Sequence, residues 1–249
     1  MKRVKLVVAY DGTNYCGWQV QKNGETIESV LNRAIGELTG EEIHVMGSSR
    51  TDAGVHACGN VAVFDTEARM AADKFSYALN QRLPEDIRIQ DSCEVPADFH
   101  PRFQKTVKTY EYRILNREFP LPAYRFNSHF TYRKLDVERM RQAAAYLIGE
   151  HDFQSFCAAG AQVKTTVRTS YALDVEKQGD LIILRITGNG FLYNMVRIIA
   201  GTLMKIGQGD WEPERIPEIL AGCDRQLAGP TAPARGLTLM EIHFKGEKG

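Results

Sequence analysis

The sequence predicts an α+β protein built from two mixed α/β halves that meet near residue 100. Three observations carry this. Helical and strand periodicities are interleaved along the whole chain rather than segregated. A length of 249 residues suffices for one large domain or two small ones. Between residues 99 and 108 the composition shifts toward basic and aromatic side chains, which divides the chain into 1–100 and 101–249.

In the first half, residues 4–10 read as a strand stopped by Asp11-Gly12. Thr26 is placed to N-cap a helix whose Ile27, Val30, Leu31, Ala34, Ile35 and Leu38 fall on one face, and Gly40 ends it. Residues 43–46 and 60–65 read as strands around a polar, turn-forming segment. A helix over 71–79 and a strand over 87–95 complete the unit. In the second half Tyr110, Tyr112 and Ile114 alternate along a strand, and Asp136 caps a helix through Val137, Met140, Ala144 and Leu147 that closes at Gly149. Strands over 165–177 and 181–187 flank Gln178-Gly179-Asp180, a hairpin signal. A long apolar helix over 191–206 follows, then a short one opened by Pro213. Thr238, Met240, Ile242 and Phe244 alternate in a final strand.

Composition bounds the function. A chain with 43% hydrophobic and 25% charged residues packs as a globular protein, which excludes disordered, collagen-like and coiled-coil classes. Thirty-one basic and 31 acidic residues cancel, so the protein is not coated in positive charge, although one basic face remains compatible with nucleic acid. The five cysteines are scattered, with no two closer than the 35 residues between Cys58 and Cys93. That pattern suits neither a zinc site nor a disulfide framework. No signal peptide or membrane span is legible, and a cytoplasmic setting is expected. Phosphate-binding and dinucleotide fingerprints and nucleophile elbows are missing, so no nucleotide or nicotinamide cofactor and no metal are implied.

Three segments carry chemistry. Ser48-Ser49-Arg50-Thr51-Asp52-Ala53-Gly54 places Arg50 and Asp52 in a small-residue loop between two strands. Taken alone, Asp52-Ala53-Gly54 reads first as a plain turn, and its place in a loop held by strands is what raises a functional reading. Arg197 sits in the apolar helix, where Leu192, Val196, Ile199, Leu203 and Ile206 form the core stripe and Arg197 shares a second face with Tyr193 and Gly201. It either snorkels to the surface or meets an acid, and a guanidinium beside an acid keeps that acid ionised. The third segment, Arg102 to Arg117, holds five basic residues against Glu111 alone, interleaved with aromatics. Cations for phosphates and rings for unpaired bases make an RNA surface, with Arg102, Lys105, Lys108 and, elsewhere, Arg168 as the first candidates. Tyr110 and Tyr112 on one strand face read by default as core.

Taken together these motifs resemble the tRNA pseudouridine synthase A family. The matching runs are Tyr10-Asp11-Gly12, Gly17-Trp18-Gln19-Val20-Gln21, Ser49 to Ala57, Leu83-Pro84-Glu85-Asp86-Ile87-Arg88, Phe99-His100-Pro101-Arg102-Phe103, Lys108-Thr109-Tyr110-Glu111-Tyr112, Lys164 to Arg168, Gly190 to Arg197 and Ala232 to Leu237. They occur in family order from end to end. Ser49 departs from the glycine often found before Arg-Thr-Asp, a small change in backbone freedom. The resemblance implies two ferredoxin-like (RRM-like) halves around an extended, mainly antiparallel sheet with an active-site cleft between them. It implies conversion of uridine to pseudouridine at positions 38, 39 and 40 of the tRNA anticodon stem-loop by a homodimer that needs no cofactor. By the same resemblance Asp52 is the nucleophile, Tyr110 lies against the target base, Arg50 fills the gap left by the extruded uridine and Arg197 pairs with Asp52. Two other readings compete. An RNA transglycosylase would also use an Asp but would need an incoming base, and a passive RNA-binding module leaves Arg50, Asp52 and Arg197 without a purpose.

Overall fold

Strand β1 (Lys2–Tyr10) buries Val4, Leu6, Val8 and Tyr10 at a period of two, and this one-sided face sets the first sheet. In the structure, a computed structural model that describes residues 1–161 and 163–244, β1 runs antiparallel to both β3 (His56–Thr66) and β4 (Ile87–Val95). Helix α1 (Ile27–Thr39) crosses from β1 to the two-residue strand β2 (Met46–Gly47), which pairs with β3. It is capped as its sequence predicts. Thr26 and Ser29 exchange side-chain-to-backbone hydrogen bonds, and Gly40 closes the helix at φ +76°. Helix α2 (Phe75–Asn80) follows a single 3-10 turn over 72–74 and buries Phe75 and Leu79.

Two expectations are corrected here. The strand expected over 43–46 shrinks to Met46–Gly47, because the Val45 N–H donates to Asn32 Oδ1 of α1 instead of to a neighbouring strand (2.8 Å). The helix expected over 71–79 starts with a 3-10 turn instead of a continuous α-helix.

The second unit is built on β5 (Thr106–Asn116). Strand β6 (His129–Thr131) lies parallel to β5 along its C-terminal residues. Helix α3 (Val137–Ala145) is capped by Asp136, whose carboxylate accepts from the Glu138 and Arg139 N–H groups. Strands β7 (Gly149–Asp152), β8 (Val167–Gln178) and β9 (Leu181–Gly188) give the antiparallel order β5-β9-β8-β7. Gly179 turns the β8–β9 hairpin at φ +60°. Tyr112, Ile114, Leu173, Val175, Leu184 and Ile186 are buried along these strands with Met140, Ala143 and Ala144 of α3.

Helix α4 (Met195–Gly207) starts four residues later than its apolar pattern predicts. Asn194 lies in the left-handed region at φ +60° and Gly190 at +155°, so residues 191–194 turn instead of coiling. The predicted stripe of Leu192, Val196, Ile199, Leu203 and Ile206 is buried throughout. Helix α5 (Arg215–Gly222) follows Pro213. The last strand, β10 (Leu237–Phe244), lies beside β3, giving β4-β1-β3-β10 in the first unit. The two compact units are therefore Met1–Lys105 with the chain from Leu239 onward, and Thr106–Thr238. The return of the last strand to the first unit is a nonlocal pairing that local patterning does not encode.

Gly201 shows how tightly α4 is held. A Cβ there would stand 1.8 Å from the Pro230 carbonyl oxygen. Gly201→Ala gains about 1 kcal/mol of helix propensity but forces the 229–232 segment away, at a cost of about 1–3 kcal/mol or more. We expect a net loss of stability in denaturant unfolding; a variant as stable as the parent contradicts this packing.

Candidate active site

The loop between β2 and β3 carries Arg50 and Asp52, and its backbone is fixed from three sides. From β3, the Asn60 side chain is fully buried. Its Oδ1 accepts from the Ser49 N–H (3.3 Å) and the Val61 N–H (2.9 Å), while its Nδ2 donates to the Ser49 carbonyl (3.0 Å) and to the Tyr10 hydroxyl (3.3 Å). From β1, Tyr10 Oη meets Thr51 Oγ1 at 2.8 Å. From the 11–18 segment, the Trp18 N–H donates to the Thr51 carbonyl (3.0 Å).

That segment approaches so closely that only glycine fits. A Cβ on Gly17, at φ +85°, would lie 2.5 Å from the Thr51 oxygen, and one on Gly12 would lie 2.0 Å from the Val55 oxygen. The Trp18 indole fills the space over Gly47 in the same way. His56 is tied into this scaffold, its Nδ1 accepting from the Gly12 N–H at 3.1 Å with the Asp11 carboxylate also 3.1 Å away. The runs Tyr10-Asp11-Gly12 and Gly17-Trp18 thus serve as the frame of the Asp loop.

Within this frame Asp52 is half-buried, its carbonyl accepting from Val55 N–H and Gly54 turning at φ +77°. It is therefore both the first residue of a turn and a side chain on a rigid loop. Ser49, where the resemblance leads one to expect glycine, is buried and does not use positive φ, so serine is accommodated. Arg50 is exposed at the loop's edge. Arg102 reaches the same loop, donating from Nε to the Gly47 carbonyl (2.8 Å), and Ser48 Oγ donates to the Pro101 carbonyl (3.0 Å). Burial and then the nearby positive charge of Arg50 pull the Arg102 pKa below its ordinary value. Two guanidinium groups near one another invite an anion such as a phosphate. Phe103, stacked on His100 with ring centroids 4.1 Å apart, is 83% exposed, and Lys105 is exposed beside it.

In the second unit Tyr110 is buried on β5, and its ring and that of Phe191 meet in a T-shaped contact with centroids 5.1 Å apart at 82°. Tyr112 is fully buried and donates its hydroxyl to the Pro233 carbonyl (2.9 Å); burial pushes its pKa well above that of free tyrosine. The two tyrosines of one strand face thus differ in surroundings. Lys108 is half-buried at the start of β5. Arg168 donates to the Thr165 and Val167 carbonyls, and burial lowers its pKa.

Arg197 does not simply snorkel outward. Its Nε donates to the Ala232 carbonyl and its Nη1 to Asn194 Oδ1, both at 2.7 Å. The left-handed Asn194 therefore orients the guanidinium. Sequence reasoning missed Asn60, since a lone Asn carries no periodic signal, and named Asn194 only within the run Gly190 to Arg197. It also named Phe103 only as part of a motif.

The family described as tRNA pseudouridine synthase matches residues 6–104 and 143–245. The chain belongs to the tRNA pseudouridine synthase family. Among curated relatives, tRNA pseudouridine synthase A of Brevibacillus brevis is 51% identical over 245 residues, spanning 98% of this chain and 100% of its own length. That of Acetivibrio thermocellus is 48% identical over 244 residues with the same coverage. Arg50, Asp52, Arg102, Arg168 and Arg197 fall within the family-matched segments, whereas Lys105, Lys108 and Tyr110 fall between them and are covered by the full-length relatives.

The buried amide of Asn60 is the test of the frame. Asn60→Ala leaves the Ser49 N–H and carbonyl without their partner, at a cost of about 2–3 kcal/mol. We expect a melting temperature several degrees lower and slower turnover on tRNA. A variant with both unchanged shows that other contacts fix the loop.

Proposed function

We propose that the protein converts uridine to pseudouridine at positions 38, 39 and 40 of the tRNA anticodon stem-loop, as a homodimer, with Asp52 as nucleophile. Family membership over the length of the chain carries this reading, and it agrees with a carboxylate on a loop fixed from three sides. The antiparallel order β4-β1-β3-β2 with α1 and α2, and β5-β9-β8 with α3 and α4, supports two ferredoxin-like halves.

The reaction is an isomerisation. The N1–C1′ bond breaks, the uracil turns, C5 bonds to C1′ and the C5 proton leaves for N1. Atoms and electrons balance within the substrate, so the chemistry asks for positioning and proton transfer. A carboxylate assists by adding to C1′ or by removing a ribose proton on the way to a glycal, and either route wants an ionised oxygen held beside the sugar. We assign Arg197 as the counter-charge that keeps Asp52 ionised, with Asn194 and Ala232 orienting it. Tyr110 is assigned to the target base and the C5 proton. Arg50 is assigned to the gap left by the extruded base, because a planar guanidinium both stacks and hydrogen-bonds. Arg102, Lys105, Lys108 and Arg168 are assigned to phosphates.

Mutation separates these roles. Asp52→Asn is expected to fold and to bind unmodified tRNA with affinity within a few-fold of the parent, yet to form no pseudouridine in reverse-transcription mapping; normal product from that variant removes the nucleophile assignment. Arg197→Met is expected to cut kcat by about 100-fold or more, of the order lost with a stabilising charge. Parental kcat in that variant removes the counter-charge assignment.

A further inference from the structure

At the far end of β5 from Tyr110, an open hollow of about 350 Å³ is lined by Asn116, Arg117, Glu118, Tyr132, Lys134 and Lys177. Its construction is local and specific. The Asn116 side chain donates to the Thr131 and Arg133 carbonyls (3.1 and 2.8 Å) and accepts from the Leu135 N–H (3.1 Å), pinning the 131–135 segment to the end of β5. Arg133 turns away to Asp210 at 2.8 Å and Leu135 is buried, so the alternate residues Tyr132 and Lys134 face the hollow. Lys177 arrives from the end of β8. Arg117 is held by Asp180 of the hairpin at 3.3 Å, and its buried Nε has no hydrogen-bond partner among the described residues. Tyr132 is 73% exposed. Three cations thus stand against Glu118 and the Asp180 that Arg117 already meets.

We propose that this hollow binds a second nucleotide of the substrate RNA, its base on the Tyr132 ring and its phosphate on Lys134, Lys177 and Arg117. Glu118 at the rim accepts a hydrogen from the base edge. Asn116 lies six residue steps along β5 from Tyr110, about 20 Å at the usual rise, so the nucleotide held here is remote from the reacting uridine. The inference rests on the proposed action on tRNA. An aromatic ring exposed among lysines is the pairing that holds unpaired nucleotides, the ring supplying sequence-tolerant stacking and the cations the salt-dependent part.

Those two contributions separate experimentally. Binding of intact unmodified tRNA is measured across a salt series for the parent, Lys134→Glu/Lys177→Glu and Tyr132→Ala, each checked for a parental melting temperature. The double charge reversal is expected to weaken binding at least tenfold near 0.1 M salt and to flatten the slope of log K against log salt by about 2. Tyr132→Ala is expected to weaken binding about fivefold or more with the slope unchanged. Parental affinity and slope in both variants overturn the proposal, as does an equal loss from the same charge reversal at Lys74 and Arg215. A parent protein that binds tRNA but forms no pseudouridine instead overturns the proposed reaction, so the two failures read differently.

Discussion

One buried amide governs the first unit. Asn60 makes four hydrogen bonds from inside β3, three to the backbone of residues 49 and 61 and one to Tyr10. A carboxylate that must meet one atom of a flexible polynucleotide needs a loop without freedom of its own, and a buried polar group with every bond made is an effective clamp, because any displacement leaves donors dry and unpaired. The glycines at 12, 17 and 47 serve the same end by letting backbone and indole approach the loop more closely than a side chain allows. The rigidity of Asp52 is thus built by residues that take no part in the chemistry assigned to it.

The second unit repeats this logic around a cation. Arg197 lies on a helix buried apart from itself and Lys205, and its guanidinium is directed by a carbonyl and by an Asn amide whose own backbone sits at φ +60°. A left-handed Asn costs about 1–3 kcal/mol, and here it ends the turn before α4 while aiming its side chain back at Arg197. Arg102 is likewise anchored, its Nε donating to the Gly47 carbonyl. Anchored arginines lose less freedom on meeting an anion than free ones, which suits recognition of phosphates.

Much of the fold was legible in sequence. Thr26, Gly40, Asp136, Gly179 and the α4 stripe act locally, and local signals place helices and hairpins well. What escaped is nonlocal. Val45 turns to Asn32 rather than to a strand, Asn194 delays α4, and β10 returns to β3. For the site, the Asp loop, Arg197 and the basic segment were visible as unusual residue combinations, and the resemblance gave them roles. Asn60 was invisible, since one polar residue in an apolar run looks the same whether it clamps a loop or faces solvent, and Asn194 stood inside a matching run without a role of its own.

Formal neutrality at 31 charges of each sign hides where those charges stand. Arg50 beside Arg102, and Lys134 with Lys177, are local excesses that a net figure averages away. The proposed attraction of such patches for RNA would account for binding but not for chemistry, so product formation is the more direct evidence. The deciding measurement is incubation of the purified chain with unmodified tRNA transcript in buffer alone, followed by pseudouridine mapping at single-nucleotide resolution. The account predicts conversion confined to positions 38, 39 and 40. Bound but unconverted tRNA, or conversion elsewhere in the molecule, contradicts it.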